Sequence, residues 1–405
     1  MPSFEEARRI ILENVSPLGA ERVPALEAVG RVVAEDVRAP FDLPRWDNSA
    51  MDGFALRAQD ASAAGGLRVS AFVPAGATPA GDLAPGTAAR VLTGAPIPPG
   101  ADAVAPFEET EEKDGVVRFL RPVRAGAHVR RKGEDIRAGE PVLPAGTVLG
   151  PAEVSALASS SRLAVPVVRR ARVAIVSTGD ELVEPGTPLA PGQIHDSNAW
   201  ALAAAVLQAG GVPAVLGIAR DDRDALRRLL GEGLAADALV TTAGVSVGDR
   251  DLVREVLAEL GVRQVFWKID IKPGRPTAFG LAGGTPVFSL PGNPVATLLT
   301  FDQLVRPALL RMMGHARVLR PLVPATLRDG LRRKPGRVEF VRVRLERGEG
   351  GGLVAASAGD QATGMLKTLL RADGLVVVPA DRGPIEPGGA VEAQVLSGDL
   401  LPWGP

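Results

Sequence analysis

Five short polar clusters in the middle of the chain each follow an apolar run, and their residue types suit the handling of a phosphorylated anion. They are Ser177-Thr178-Gly179-Asp180-Glu181-Leu182, Arg220-Asp221-Asp222, the stretch 241–251 (TTAGVSVGDRD), 272–276 (KPGRP) and 289–294 (SLPGNP). Glycines, hydroxyls and cations are what an oxyanion needs from a protein, because backbone N–H groups at a tight turn can face the ligand without a side chain in the way. Gly244, Ser246 and Gly248 have that nest-like character, yet Asp249 and Asp251 beside them would repel a bare phosphate. Acidic residues next to such a loop make sense when a divalent cation lies between them and the substrate oxygens, the way Mg²⁺ is held by one or two carboxylates plus phosphate. Glu181, Asp221 and Asp251 are therefore candidates for metal or ribose contacts, with Asp221 and Asp251 the metal pair. A plainer reading stands beside each cluster: Asp221–Asp222 suits a helix cap, and Asn293 followed by Pro294 suits an N-cap with proline at the first helical position.

Two further stretches carry candidates. In 266–272 (FWKIDIK) a period of two puts Trp267, Ile269 and Ile271 on one side and Lys268, Asp270 and Lys272 on the other. With Arg275 this makes a net positive face. Either it is a charged edge strand, or it is an oxyanion site at the ligand-binding end of an interior strand; the second reading groups Lys272, Arg275 and the Ser289 hydroxyl in one cradle. Nearer the N-terminus, 44–60 (PRWDNSAMDGFALRAQD) packs Asp47, Asn48, Ser49 and Asp52 among Trp46, Met51 and Phe54, which reads as a loop held in place rather than a loose tip. The stretch around Thr93–Gly94 has the same texture.

The elements that must position these residues fall into three textures. Phe4, Ala7, Ile11 and Val15 recur at helical spacing behind the acidic Glu5–Glu6. From about Arg38 to Pro144, short apolar runs are cut by Pro and Gly, the pattern of an irregular β module, and a short helix is expected over Pro151–Ser159. Strands then alternate with helices from Arg172 to Met313: 172–177, helix 199–209 capped by Asn198 or Ser197, strand 213–219, helix 221–234, strand 237–242, helix 250–260, strand 263–271, strand 286–290 and a helix from Pro294. That is a mostly parallel sheet covered on both faces, with ligands at the carboxyl ends of its strands. From about Pro321 the helical period disappears. In 337–345 (RVEFVRVRL) Val338 and Phe340 share one parity and Val341, Val343 and Leu345 the other, so a bulge near Phe340–Val341 is expected, within a small β-barrel or sandwich.

Composition limits the classes open to the chain. It has 405 residues, 46% hydrophobic and 23% charged, with a formal net charge of −1, so no global field steers it to nucleic acid or to an anionic membrane. There is no cysteine, which excludes disulfides, thiolate ligands and a cysteine nucleophile. The three histidines, His128, His195 and His315, lack metal-ligand spacing. No apolar run is long enough to span a membrane, and a cytoplasmic protein is the expectation.

Taken together, DNSAMDGFA, LTGAPIPPGADAV, STGDEL, AGVSVGDRD, KPGRPTAFG and LPGNPVA, in this order, resemble the molybdopterin molybdenumtransferase family, which includes the C-terminal part of gephyrin, and the resemblance runs from about Phe4 to Val395. It implies a multi-domain fold: a discontinuous linker domain (1–45 with 138–170), a β module (46–137), a molybdopterin-binding α/β domain (171–316) and a C-terminal β-barrel (317–405). It implies adenylylated molybdopterin as substrate, molybdate as co-substrate, Mg²⁺ as the cation, release of AMP, and a homodimer whose active sites combine the β module of one subunit with the pterin-binding face of the other. It places family-important residues on Asp52, Thr93, Glu181, Asp221, Asp251, Lys268 and Lys272, and a rigid turn on Pro291 and Pro294. Two departures stand out: Ala243 replaces the usual first glycine of a Gly-Gly pair, where a methyl group restricts φ, and Phe54 stands where tyrosine is common. Molybdopterin adenylylation is the nearest alternative activity, since the adenylylating enzymes resemble the central domain alone, and a non-enzymatic, gephyrin-like scaffold is the other.

Overall fold

The computed structural model describes residues 1–62, 64–243 and 252–396. Contacts divide the chain into two compact units. One comprises Met1–Glu21, Gly30–Ala34 and Val167–Pro405, the other Arg22–Val29 and Glu35–Pro166.

The larger unit holds the alternating region. Its strands are β1 (Arg172–Thr178), β2 (Val212–Ala219), β3 (Ala238–Thr242), β4 (Arg263–Phe266), β5 (Ala278–Ala282) and β6 (Thr285–Leu290). They form one sheet in the order β2-β1-β3-β6-β5-β4, parallel from β2 to β6, with β5 antiparallel to both of its neighbours. Helices cover both faces because successive strand residues point in opposite directions. Val173, Ile175, Val240, Phe288 and Leu290 pack on one side against α2 (Ser197–Gln208) and the helical run from Pro294 to Met312. Ala174, Val176, Leu239 and Val287 pack on the other against α3 (Arg223–Gly233) and α4 (Leu252–Glu259). The N-terminal helix α1 (Phe4–Glu13) begins with a reciprocal capping box between Ser3 and Glu6 and adds Phe4, Ala7 and Ile11 to the first of these cores.

Three expectations change here. The cap of α2 is Asp196, whose side chain accepts from the Ala199 N–H, in place of Ser197 or Asn198. The strand expected over 263–271 stops at Phe266, and it is the sheet's edge rather than an interior strand. Ile271–Lys272 instead pairs with a strand of the C-terminal sheet, Ile271 beside Val338 and Lys272 beside Glu339. The alternation of 266–272 holds in burial, with Ile269 and Ile271 buried and Lys272 exposed, but the backbone serves two sheets.

The C-terminal strands are β7 (Leu322–Leu327), β8 (Val338–Arg347), β9 (Leu353–Ser357), β10 (Gly374–Val378) and β11 (Ala390–Val395). They close into a five-stranded barrel, β8-β9-β7-β11-β10 and back to β8, which leaves no open edge among these five. The expected bulge in β8 is absent: residues 339–343 pair with 378–374 without interruption. The strand satisfies both parities by being buried on both faces. Val341, Val343 and Leu345 fill the barrel, while Val338 and Phe340 face outward into the core shared with α1, where Phe340 meets Phe4 edge to face at 5.2 Å.

The smaller unit contains the expected helix Pro151–Ser159 and a six-stranded sheet in the order Ala103–Pro106, Gly53–Leu56, Thr87–Val91, Leu67–Val73, Val116–Phe119 and Thr110–Lys113. A Cβ on Gly53 would lie 2.1 Å from the Ala105 carbonyl oxygen, so the strand following Asp52 approaches its neighbour only because that residue is glycine.

Candidate functional site

The carboxyl edge of the α/β sheet collects most of the sequence-predicted residues. β1, β2, β3 and β6 all end there. β5 begins there, since Ala278 pairs with Ser289 in an antiparallel register. The loops arriving at this edge make two distinct chemical environments.

At the β2–β1 side the environment is acidic. Gly179 has φ +142°, and a Cβ on it would meet the Glu181 carboxylate at 2.5 Å, so glycine lets Glu181 fold back over the chain. The Asp180 carboxylate accepts from the Asp221 N–H at 3.2 Å. Asp222 caps α3 through the Ala225 N–H, which leaves the Asp221 carboxylate without that duty. Partial burial, followed by the negative charges of Asp180 and Glu181, raises the Asp221 carboxyl above its ordinary value. Ser177 and Thr178 lie deeper: the Thr242 hydroxyl donates to the Ser177 hydroxyl at 3.2 Å, and Thr178 donates to the Thr242 carbonyl at 3.1 Å. Both hydroxyls are buried and engaged inside the sheet. Gly244, Ser246, Gly248, Asp249 and Asp251 lie outside the described residues. Among the described residues, no three acidic or histidine side chains come close enough to hold a metal ion by themselves.

At the β6–β5 side the environment is cationic. A cavity of about 440 Å³ opens between the segments 271–276 and 291–296 of the sheet edge and the barrel segments 337–340 and 361–363. Lys272, Arg275 and Arg337 contribute three positive charges to its lining and Glu339 one negative charge, so its balance is positive. The turn at its floor is fixed by Gly274, φ +108°, where a Cβ would strike the Thr300 methyl at 2.3 Å, and by the Thr277 hydroxyl donating to the Gly274 carbonyl at 2.7 Å. On the facing loop the Asn198 amide donates to the Gly292 carbonyl (2.8 Å) and the Thr297 hydroxyl to the Pro291 carbonyl (2.5 Å). Asn293 and Pro294 open the next helix, as cap position and first-turn proline, but the Asn293 side chain does not cap it. Its amide instead donates to the Thr363 hydroxyl at 3.1 Å.

Sequence reasoning both misplaced and missed residues here. Ser289 is not part of the cradle with Lys272 and Arg275. It points to the opposite face of β6, into a separate cavity of about 210 Å³ with Gln264, Trp267 and Phe279, because it shares the parity of Val287 rather than that of Phe288 and Leu290. Lys268 is half-buried and does not line the cationic cavity. The contribution of the barrel was missed altogether: Arg337, Glu339, Gln361 and Thr363, with Arg342 behind them. Arg342 is fully buried and donates to the carbonyls of Asp360 and Ala362 at 3.0 and 3.2 Å, while its Nε and Nη1 have no hydrogen-bond partner. Burial holds its guanidinium below the usual value, with the Asp360 charge opposing. The available signal was parity: Arg342 follows Val338 and Phe340 on one face, where a charge beside two apolar residues has to be explained.

In the smaller unit Asp52 and Thr93, named separately from the sequence, come together. The Asp52 carboxylate accepts from the Thr93 N–H at 2.6 Å and from its hydroxyl at 2.8 Å. These two bonds, the backbone one first, hold the Asp52 carboxyl below its ordinary value. The loop is anchored as expected. Asp47 accepts from Arg131 (2.7 Å) and from the Lys132 N–H (2.8 Å), and Asn48–Ser49 pair with Val129–Arg130.

A doubly wound sheet carrying acidic and cationic groups along one edge, joined to a closed barrel and accompanied by a separate β unit, defines a multidomain α/β protein equipped for phosphorylated, anionic ligands. Comparisons with known proteins narrow the class. Residues 2–161 match the MoeA N-terminal region (domain I and II), 174–311 a probable molybdopterin binding domain, and 324–396 the MoeA C-terminal region (domain IV). The chain is 38% identical to molybdopterin molybdenumtransferase 2 of Mycobacterium tuberculosis over 94% of its own length and 96% of the relative's. It is 35% identical to the molybdopterin molybdenumtransferase of Haemophilus influenzae, covering 96% and 98%. A crystal structure of the molybdopterin biosynthesis MoeA protein from Pyrococcus horikoshii OT3 superimposes with a TM-score of 0.83 at 31% identity, covering 98% of this chain and all of that one. The protein belongs to the molybdopterin molybdenumtransferase family and is a transferase of molybdenum cofactor biosynthesis.

Proposed function

We propose that the protein inserts molybdenum from molybdate into adenylylated molybdopterin and releases AMP. The observation that carries this reading is the separation of two opposite environments along one sheet edge. The acidic group lies at β2–β1 and the cationic cavity at β6–β5, three strand spacings apart, or about 14 Å. A substrate with a phosphoanhydride at one end and an anion-accepting centre at the other spans such an edge, whereas a bare nucleotide has no use for the second site. In this reading Lys272, Arg275 and Arg337 bind the molybdate dianion, with the Thr363 hydroxyl and the Asn293 amide beside them. Several directed donors are what a tetrahedral oxyanion requires, and a charge-assisted hydrogen bond contributes roughly 1.5–3 kcal/mol.

The carboxylates at the other end fit a divalent cation. Burial first, and then the charges of Asp180 and Glu181, raise Asp221, and Mg²⁺ needs only one or two carboxylates when substrate phosphates complete its shell. Asp221, with Asp251 as the expected second ligand, would hold it, and the ion would neutralise charge on the pyrophosphate. Asp52, fixed by Thr93 and exposed, is the candidate from the β unit. The proposed assembly is a homodimer in which the Asp52–Thr93 loop of one copy serves the molybdopterin-binding face of the other.

The test is product analysis with the full-length protein, adenylylated molybdopterin and Mg²⁺. AMP release that depends on molybdate and falls at least tenfold in Lys272→Ala is the expected result. Pyrophosphate release from ATP would point to adenylylation, and neither product to a scaffold.

A further inference from the structure

The cationic cavity contains its own competitor for the anion. Glu339 places one carboxylate oxygen 2.8 Å from the Lys272 ammonium, and its side chain is only 10% exposed while that of Lys272 is 56% exposed. The other oxygen lies 3.4 Å from Arg333 Nε, a contact that has the distance of an ion pair but not the direction of a hydrogen bond. Arg333 is committed elsewhere, through Nη1 to the Pro379 carbonyl at 2.6 Å and through Nη2 to the Arg337 carbonyl at 2.5 Å. Glu339 is thus fixed by the barrel backbone and by Arg333, whereas its partner Lys272 sits at the open side of the cavity on a long side chain that can swing.

A carboxylate facing a fully deprotonated dianion has no proton to share with it and can only repel it. Its position is therefore unfavourable for anion binding unless it has a second task. We infer that Glu339 is a specificity-determining latch: in the resting cavity it holds the Lys272 ammonium, and an entering oxyanion must draw that ammonium away. This rests on the reading of the cavity as the oxyanion site. The latch keeps anion affinity below what the three cations alone would give. The consequence falls on weakly charged competitors, since a monoanion offers Lys272 less than Glu339 does, and only a dianion offers more. Release is eased by the same exchange, because Glu339 recaptures Lys272 as the anion leaves for its acceptor.

The experiment uses the full-length protein and two probes, sodium molybdate and sodium formate, by equilibrium dialysis or calorimetry. Brief acetylation, read by mass spectrometry at Lys272, reports whether that amine is held. Glu339→Gln should bind molybdate roughly two- to fivefold more tightly, the range that a half-exposed ion pair supports. It should narrow the molybdate-to-formate preference and acetylate faster at Lys272. Glu339→Asp keeps the charge beside Arg333 but falls a methylene short of Lys272, and it should lie between the two; it also covers the case in which Glu339→Gln fails to fold. Unchanged or weaker molybdate binding in both variants overturns the latch, as does tighter binding with Lys272 acetylated no faster than in the parent. If Lys272→Ala binds molybdate as the parent does, the cavity is not the oxyanion site, and the underlying reading fails rather than the latch alone.

Discussion

Replacing Ala243 with glycine should stabilise the protein. Ala243 directly follows β3 and turns the chain with φ +64°, a left-handed conformation that costs an L-residue about 1–2 kcal/mol. Its backbone is not free to relax, since its N–H donates to the Leu290 carbonyl at 3.1 Å and holds the turn against β6. Its methyl group also fills the space beside Gly292, where an added Cβ would sit 3.2 Å away. Glycine removes the conformational cost but adds freedom to the unfolded chain, worth about 0.4–1 kcal/mol in the other direction. The balance is a net gain of about 0.5–1 kcal/mol. Urea denaturation followed by tryptophan fluorescence should show a higher midpoint for Ala243→Gly at unchanged slope, and Ala243→Val should move it lower. A glycine variant equal to or weaker than the parent would refute the strain argument and show that the turn selects alanine for another reason.

Other expectations follow from the two carboxylate environments and from the proposed dimer. Thr93→Val removes one of the two bonds to Asp52, so the Asp52 carboxyl, titrated by NMR, should move up towards the ordinary carboxylate range. In the parent, the stability from this contact is present above the unfolded-state pKa and is lost as pH falls through the lowered folded-state value. Asp221 has the opposite sign: its raised value is a penalty at neutral pH, relieved as pH falls through it. Asp180→Asn should therefore lower the Asp221 pKa, and millimolar Mg²⁺ should lower it in the parent; no response to Mg²⁺ would reduce Asp221 to a loop residue. Asp52→Ala and Lys272→Ala homodimers should each be nearly inactive, yet exchanging their subunits should restore up to about a quarter of parental activity, because half the dimers formed at random are mixed and each carries one intact site. Verified exchange without recovery would place both residues in a site built within one chain.

Much of the α/β layer was legible because a doubly wound sheet writes itself locally: each apolar strand is followed by a loop and a helix with its own cap. The described motif loops therefore fell at the expected edge. What local pattern could not show was non-local pairing. The run 263–271 reads as one strand, yet it stops at Phe266 and its last residue, Ile271, pairs with β8 together with Lys272, which no period in 266–272 encodes. Two-sided burial of β8 looks the same in sequence as a one-sided strand with a bulge. Ser289 was assigned from the loop it adjoins, when its parity with Val287 decides the face it occupies. Arg342 was passed over because a charge in an alternating strand is usually solvated, and only the packing of 358–366 over β8 makes it a buried group.

The Ile271–Lys272 pairing also has a consequence for the order in which the molecule can become competent. A chain emerging from its N-terminus delivers Lys272, Arg275 and the whole of the α/β sheet well before β8 exists. At that stage the sheet has all six strands, but Lys272 has neither its neighbouring strand nor Glu339, and the cationic cavity lacks one wall. Phe4, among the first residues made, waits just as long for Phe340. Contacts this distant in sequence close late and slowly. A nascent or truncated chain would thus carry a complete α/β sheet without the cationic cavity, and that cavity appears only when the barrel closes.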